Sequence, residues 1–217
     1  MTKLIVTPNR HVGVEKGLGA KANTVLQAAR TIFLTYGFAG ATTDMIQREA
    51  GVSKSTVYAH FTNKETLFSE VVKAECLSTS NHIRSIQFIP GKIKETLHEV
   101  ADAYLQIVLS KSGASLARIV IAEVERFPRL GKTFYEAGPK PCILLVAQLL
   151  SLAHDAGDIE LGTLTPEEAA RVFVGAVRSE PQLHYLTHPN EKPTKVQREQ
   201  WSGLVVETFI RAYGKAD

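Results

Sequence analysis

The 217-residue sequence predicts an all-α protein, in which an N-terminal three-helix domain precedes a larger helical domain. Apolar residues recur at three- and four-residue spacing through most of the chain after residue 21, which is the period of helices with one buried face. Breaks such as Pro90-Gly91 separate these segments, and no alternating strand pattern or internal repeat stands out. With 44% hydrophobic residues, the chain can bury a substantial core.

The first element is expected to be a flexible arm over residues 1–20, because this segment mixes glycine with polar and charged residues. A first helix is predicted over residues 21–36. Its apolar face consists of Val25, Leu26, Ala29, Ile32, Phe33 and Tyr36. This helix is expected to brace the two short helices that follow.

A glycine turn joins the next two predicted helices. Thr43 is expected to cap the first of them, and Asp44 adds a favourable charge at its N-terminus. Gly51 can take the left-handed conformation that ends a helix, and Ser53 is a cap for the second helix. Two short helices around such a turn predict a helix-turn-helix.

The spacing of side chains assigns the two faces of this motif. Residues expected to face inward are Ile46, Ala50, Val52, Val57 and Phe61. Residues expected to project outward are Lys54, Ser55, Thr56 and Tyr58. Short, polar and basic side chains suit the major groove of DNA, where they reach base edges and phosphates. Thr62 and Glu65 have the spacing of a capping box for a following helix that has Lys64 in its first turn.

The same region resembles the DNA-binding signature of TetR/AcrR-type transcriptional regulators over roughly residues 21–72. The matching residues are Thr42-Thr43, Ala50-Gly51-Val52-Ser53, Thr56-Val57-Tyr58, His60-Phe61 and Asn63-Lys64-Glu65-Thr66-Leu67-Phe68. Residues 119–128 and 134–139 are similar to the C-terminal domain of the AefR-like branch. The resemblance implies a dimeric, all-helical, cytoplasmic DNA-binding regulator, usually a repressor released by a small molecule.

We therefore predict that the helix from Ser53 to His60 enters the major groove of double-stranded DNA. Lys54, Ser55 and Thr56 are expected near bases, since the N-terminal end of so short a helix reaches furthest. The residues expected nearer phosphates are Thr43, Tyr58, His60 and Lys64. Two alternatives stay open: Tyr58 and His60 pack the motif, or the two lysines are ordinary solvated side chains.

Further helices are predicted after Phe68, as far as about Ser85, and then near 92–110 and 114–127. A helix over 130–156 is expected to break at Gly138-Pro139-Lys140-Pro141, because two prolines so close oppose a continuous helix. Pro166 with two following acids predicts another helix start, and the last helix is expected over 194–213. The helix-turn-helix domain is thus placed at 21–68 and a regulatory and dimerisation domain at 69–217.

A homodimer is predicted, because one short recognition helix contacts too few base pairs, whereas two suit a pseudo-palindromic operator. The last two helices carry apolar series that include Val172 and Leu204. The residues assigned to the interface are Phe173, Val177, Trp201, Val205 and Phe209. The alternative is that all of this surface packs within the subunit.

A ligand pocket is predicted between residues 92 and 164, where apolar walls combine with two phenol groups. Its expected lining is Tyr104, Val108, Ile119, Phe127, Phe134, Tyr135, Leu145 and Leu149. Aromatic residues at helical spacing are also ordinary core, so this alternative stays open. The effector is expected to be small and mainly apolar.

Charge and cysteine content agree with this interpretation. Residues 1–75 hold nine Lys/Arg against six Asp/Glu, whereas the remaining residues hold sixteen of each. The net charge of +3 therefore lies in the part that carries the DNA-binding motif. Cys76 and Cys142 are isolated, as is usual in a reducing compartment, and no apolar run is long enough to span a membrane.

Enzymatic and metal sites are not predicted. Glu95 and His98 have the spacing of a di-iron ligand pair but lack a second copy, and Pro181 disturbs a possible set of Glu180, His184 and His188. The glycines at 13–19 follow no strand and do not form a nucleotide loop. No cofactor is expected. A DNA-binding regulator without a ligand remains an alternative, and a helical-bundle enzyme is disfavoured.

Overall fold

The computed structural model describes residues 19–215, apart from the side chains at 79 and 80, and within this range the protein is all-α, as predicted. No β-strand occurs there, only an isolated bridge between Ile159 and Gly214. The described helices are α1 (Ala20–Gly40), α2 (Thr43–Ala50), α3 (Lys54–His60), α4 (Lys64–Ser85), α5 (Ile93–Val108), α6 (Lys111–Glu123), α7 (Pro128–Ala137), α8 (Pro139–Asp155), α9 (Pro166–Thr187) and α10 (Lys195–Tyr213).

The helix ends follow the sequence signals closely, with two corrections at caps. Thr42, not Thr43, caps α2, because its hydroxyl accepts a hydrogen bond from the Met45 N–H at 3.2 Å. Asn63, not Thr62, caps α4, since its side-chain oxygen accepts from the Thr66 N–H at 2.8 Å. Both corrections shift the predicted cap by one residue, to a neighbour that also carries a suitable acceptor.

The N-terminal helix α1 is longer than predicted. It passes through Gly37, whose φ of 72° interrupts the helix, and resumes for a last turn to Gly40. A side chain is disfavoured at positive φ, so glycine permits this kink. The predicted arm at 1–20 lies outside the described residues except for Gly19 and Ala20, of which Ala20 already begins α1.

The described chain forms two compact units that interleave in sequence. We call residues 19–78 with 115–137 the helix-turn-helix unit, and residues 79–114 with 138–215 the second unit. Residues 115–137, which the sequence analysis grouped with the regulatory domain, contribute Leu116, Val120 and Leu130 to the core of the helix-turn-helix unit.

Four phenylalanines form the centre of the helix-turn-helix unit. The Phe38 ring lies 5.9 Å from that of Phe33 and 5.2 Å from that of Phe68, between ring centroids. Phe127, which precedes α7, places its ring 4.9 Å from Phe38, edge to face. Phe38 is buried, so this cluster joins the end of α1 to the chain between α6 and α7.

The second unit is built on α5, α8, α9 and α10, whose inward faces form an apolar core that includes Leu97, Leu105 and Phe173. The predicted helix start at Pro166 is confirmed. Thr165 and Glu168 form a capping box there, with the Thr165 hydroxyl accepting from the Glu168 N–H and the Glu168 carboxylate from the Thr165 N–H.

No single helix within residues 19–215 combines the length and apolar character of a membrane span. Helices α5 and α6 have that length and apolar character only when taken together, and they are bent by 63° where they meet.

Candidate nucleic-acid interface

The helix-turn-helix is closed by Gly51, which has the left-handed conformation predicted for it, with φ of 63° and ψ of 31°. Its N–H donates to the Arg48 carbonyl, and the Val52 N–H donates to the Gln47 carbonyl at 3.1 Å. This tight turn satisfies two of the last four carbonyls of α2 and directs the chain into α3. The angle between the two helices therefore depends on a residue without a side chain.

The start of α3 carries a cluster of hydroxyl groups. Ser53 caps the helix by accepting from the Thr56 N–H at 3.2 Å, as predicted. Its Oγ also lies 2.8 Å from the hydroxyls of both Ser55 and Thr56. Each hydroxyl can donate or accept, so the cluster offers several hydrogen bonds to a base edge or a phosphate at the end of the helix.

Two side-chain contacts hold α3 against the first turn of α2. The Lys54 ammonium lies 3.1 Å from the Asp44 carboxylate, and the Tyr58 hydroxyl lies 3.4 Å from the Thr43 hydroxyl. Both partners of the ion pair are about half exposed, at 54% and 53% of their side chains. Such exposed pairs contribute little stability but restrict where a side chain points.

The outward face of α3 is polar, as the spacing predicted. Lys54, Ser55, Tyr58 and His60 are exposed, and Thr56 is partly exposed. On the opposite face Val57 is the buried residue of α3. The buried neighbours around it include Ile46 and Phe61, in agreement with the predicted inner face.

Lys64 lies in a different environment from Lys54. Its ammonium donates to the carbonyl oxygens of Phe38 at 2.9 Å and Ala41 at 3.1 Å, and lies 4.5 Å from the centroid of the Phe38 ring. The sequence analysis expected this ammonium near a phosphate. In the structure its donors serve the turn between α1 and α2.

Sequence reasoning missed two polar features of the motif. The Asp44–Lys54 pair joins residues ten positions apart on different helices, which no helical spacing rule indicates. The side-chain oxygen of Gln47 is buried without a hydrogen-bond partner in the described part of the chain. A buried amide oxygen of this kind carries no sequence signature, because its burial depends on the packing of α2.

The residues predicted for a dimer interface divide into two groups. Phe173, Val177 and Phe209 are buried in the core of the protomer, which corrects that part of the expectation. Trp201 and Val205 are partly buried. Helical spacing identified an apolar face correctly but did not show whether it packs inside the subunit.

The residues predicted for a ligand pocket are not brought into one cluster. Tyr104 and Leu149 are buried in the core of the second unit, and Val108 and Leu145 pack against it. Ile119, Phe127 and Phe134 instead pack against the core of the helix-turn-helix unit. Tyr135 is 43% exposed. The expected lining therefore belongs to two cores and one surface position.

The histidines near the end of α9 are engaged with each other and with a carboxylate. His184 lies 2.8 Å from the Glu191 carboxylate and stacks on His188, with ring centroids 4.4 Å apart. Hydrogen bonding from His184 lowers the pKa of Glu191. Among the described residues, no group of three or more His, Cys, Asp or Glu side chains has an arrangement that could hold a metal ion.

An exposed polar helix, held across a left-handed glycine turn by a second short helix, defines a helix-turn-helix DNA-binding protein. The family models agree. "Bacterial regulatory proteins, tetR family" matches residues 25–71, and "AefR-like transcriptional repressor, C-terminal domain" matches residues 95–215. The chain belongs to the TetR family of transcriptional regulators, which is not a family of enzymes, and both resemblances found in the sequence are confirmed.

Solved structures and curated relatives extend this comparison. The flavonoid-responsive regulator FrrA is 33% identical, with a TM-score of 0.74 over 92% of this chain and 100% of FrrA. A protein assigned to the TetR family from Mesorhizobium loti is 28% identical, with a TM-score of 0.79 over 90% of this chain and 97% of that one. The transcriptional regulator SrpR of Pseudomonas putida is 33% identical over 98 residues, which is 45% of this chain and 44% of SrpR. The chain thus spans less than half of the length of SrpR.

Proposed function

We propose that the protein is a homodimeric repressor that binds a pseudo-palindromic operator through α3 and is released by a small, mainly apolar ligand. The observation that carries the proposal is the exposed polar face of α3, on a chain of the TetR family. Residues 21–68 serve as the DNA-binding domain and residues 69–217 as the regulatory and dimerisation domain, with an arm before them.

The DNA contacts fall into two classes. Lys54, Ser55 and Thr56 face base edges at the N-terminal end of α3, supported by the Ser53 hydroxyl. Thr43, Tyr58 and His60 contact phosphates at the flanks, where hydroxyl and imidazole groups fix the register of the helix. The Lys64 ammonium donates instead to the carbonyl oxygens of Phe38 and Ala41.

This assignment is tested with Lys54→Ala against Lys73→Ala. Both changes remove one positive charge, but Lys73 lies on α4 and pairs with Glu70 at 2.8 Å. We expect Lys54→Ala to weaken operator binding and to relax discrimination at one base pair by about 1–3 kcal/mol. Lys73→Ala should leave discrimination unchanged. Titrations against the operator and against operators with single-base changes measure affinity and discrimination. The same affinity and discrimination for Lys54→Ala and Lys73→Ala would argue against α3 as the DNA-binding face.

The dimer is proposed to form on the exposed faces of α9 and α10. Val172 and Leu183 on α9 are 54% and 64% exposed, and Val196 and Leu204 on α10 are 60% and 69% exposed. A second copy of the chain would cover these side chains. Pairing in this way would place two α3 helices on half-sites about 34–36 Å apart.

Sedimentation velocity of the Leu183→Asp, Leu204→Asp double variant tests the interface. A folded monomer is expected, because two carboxylates would be buried in the contact. Ile89→Asp is the matched control, since Ile89 is also exposed, at 47%, but lies between α4 and α5. If the double variant remains a dimer and the control dissociates, the interface lies elsewhere.

The ligand is proposed to bind in the second unit, beside Tyr104, Val108, Leu145 and Leu149. FrrA is a flavonoid-responsive regulator, and its 33% identity over 92% of this chain supports a small, mainly apolar effector. If the ligand favours, by about 1–3 kcal/mol, the conformation in which the two recognition helices are wrongly spaced for the operator, it would lower operator affinity about 5- to 150-fold.

Trp201, the single tryptophan, packs against Tyr185 in the second unit and serves as a reporter. Flavonoids and aliphatic compounds of similar size are titrated while its fluorescence is recorded, with and without operator. By linkage, an inducer must bind more weakly in the presence of operator, by the factor by which it weakens DNA binding. Operator binding without any response to these compounds would favour the alternative of a regulator that has no ligand.

A further inference from the structure

The turn between α1 and α2 determines where the helix-turn-helix begins. Gly37 breaks α1, and the chain then runs through the buried Phe38 and Ala41 to Thr42, the cap of α2. The last carbonyls of a helix have no partner in the helix itself and must be satisfied by other groups. Here Phe38 and Ala41 provide two such carbonyls.

Lys64 satisfies both of these carbonyls. Its ammonium lies 2.9 Å and 3.1 Å from the two oxygens, in a half-buried position above the Phe38 ring. Hydrogen bonds from a charged donor are stronger than neutral ones, and a cation above an aromatic face adds further attraction. The first residue of α4 is thereby tied to the segment that leads into α2.

The contacts of α2 extend this arrangement to the recognition helix. Asp44 and Thr43, in the first turn of α2, each contact a residue of α3. A shift at the start of α2 would therefore move Lys54 and Tyr58. Two of the three N–H donors of the Lys64 ammonium are used by the two carbonyls of the α1–α2 turn, which hold the charged group against that turn.

We propose that Lys64 is a positioning residue for DNA binding, which holds the α1–α2 turn and through it α3, instead of contacting a phosphate. This inference rests on the proposed use of α3 as the recognition helix. On this proposal, a substitution of Lys64 weakens DNA binding because the α1–α2 turn and α3 lose their position. Experiment can distinguish this cause from the loss of a phosphate contact.

The salt dependence of binding separates the two roles. Each phosphate neutralised by a lysine releases counterions, so losing one such contact flattens the slope of log K against log salt by about 0.9. A positioning residue leaves this slope unchanged. It also stabilises the protein in the absence of DNA, which a lysine reserved for phosphate does not.

The experiment uses Lys64→Met, with Lys54→Met as the variant that removes the exposed ammonium of the proposed base-facing lysine and Lys73→Met as the control for net charge. For Lys64→Met we expect operator affinity about 3- to 30-fold lower at an unchanged salt slope, because two charge-assisted hydrogen bonds are lost. Its melting temperature without DNA should also fall. Lys54→Met should weaken operator binding and relax discrimination at one base pair, without lowering the melting temperature.

A flattened slope for Lys64→Met, or an unchanged melting temperature, overturns the proposal. If Lys64→Met does not fold, the same measurements are made on Lys64→Gln, whose amide is uncharged but can donate to one carbonyl. A flattened salt slope for Lys64→Gln also overturns the proposal.

Failure of the recognition-helix assignment gives a different result. In that case Lys54→Met binds the operator with unchanged affinity and unchanged base-pair discrimination, while the melting temperature of Lys64→Met still falls.

Discussion

The short helix α3, which we propose as the recognition helix, and the long helix α9 are held in place by different forces. α3 has seven residues and Val57 as its buried residue, whereas α9 has 22 residues and buries a whole face that includes Phe173, Val177 and Tyr185. Fully burying one large apolar side chain stabilises by about 1.5–3 kcal/mol, so apolar packing is the dominant force that positions α9. α3 depends in addition on its cap, its glycine turn and its contacts with α2.

This difference follows from what each helix leaves exposed. A helix that presents a polar face to DNA has few positions for burial, and short polar contacts must set its orientation. A helix with a fully buried face can expose Val172 and Leu183 on the other side and remain in place. The comparison predicts which substitutions reduce stability and which reduce DNA binding.

The largest effect is expected from Phe173→Ala, which removes a buried ring that packs 5.3 Å from Phe209. It should lower the free energy of unfolding by about 3–5 kcal/mol, measured by urea denaturation, and leave the operator affinity of the folded fraction unchanged. Val57→Ala should lower stability by only about 1–3 kcal/mol but also weaken operator binding. An equal loss of stability in both variants would remove the distinction between the two helices.

Replacing glycine by alanine should change stability in opposite directions at Gly51, in the turn before α3, and at Gly175, within α9. Gly51 has positive φ, and Gly51→Ala is expected to lower stability by about 1–2 kcal/mol and to reduce operator affinity. Gly175 lies inside α9 with no atom within 4 Å of an added Cβ, so Gly175→Ala should raise stability by about 0.5–1 kcal/mol. Thermal unfolding checks both signs. A stabilising Gly51→Ala would mean that the turn does not require its left-handed residue.

The caps of the two helices offer a finer comparison. Ser53→Ala and Thr165→Ala each remove a hydroxyl that accepts from the backbone, and each should lower stability by about 0.5–2 kcal/mol. Only Ser53→Ala should also weaken operator binding, because Ser53 belongs to the hydroxyl cluster of α3. Operator titration of both variants decides this, and loss of binding in Thr165→Ala would show that α9 affects the DNA-binding face.

The smallest effect concerns pH. Hydrogen bonds from the Thr165 backbone and side chain lower the pKa of Glu168 below its ordinary value of 4.5. The corresponding stability is therefore present above pH 4.5 and is lost as the pH falls through the lowered pKa. Glu168→Gln should flatten the fall in melting temperature in this window. Glu167→Gln is the control, because it removes one negative charge from the same turn but Glu167 does not belong to the capping box. An equally flattened fall in melting temperature for Glu167→Gln would contradict the role of the capping box.

The helices, the glycine turn at Gly51 and the break at Gly138 were predictable, because apolar spacing, positive-φ glycine and proline act locally in sequence. The outward face of α3 was predictable for the same reason. The contacts of Lys64 with Phe38 and Ala41 were not, since they join residues more than twenty positions apart. A lysine at a helix start has the same local pattern whether it faces DNA or a neighbouring turn.

The apolar faces of the helices could be predicted from the sequence, but not which of the two cores, or the exposed surface, each side chain joins. Phe209 and Leu204 belong to the same apolar series on α10, yet one is buried and the other is 69% exposed. Phe127 belongs by sequence to the regulatory part but packs on Phe38. Which core or surface a side chain joins depends on tertiary packing, which a single sequence does not encode in its periodicity.

The interleaving of the two units has a consequence for the protein during its synthesis. Leu116, Val120, Phe127 and Leu130 complete the core around Phe33, Phe38 and Phe68, but the ribosome adds them well after α4. Domains generally fold as units as the chain emerges, from the N-terminus onward. At residue 78 the core of the helix-turn-helix unit still lacks these four side chains. Until residue 137 has emerged, the apolar face of the first helices is therefore incompletely covered in the nascent chain.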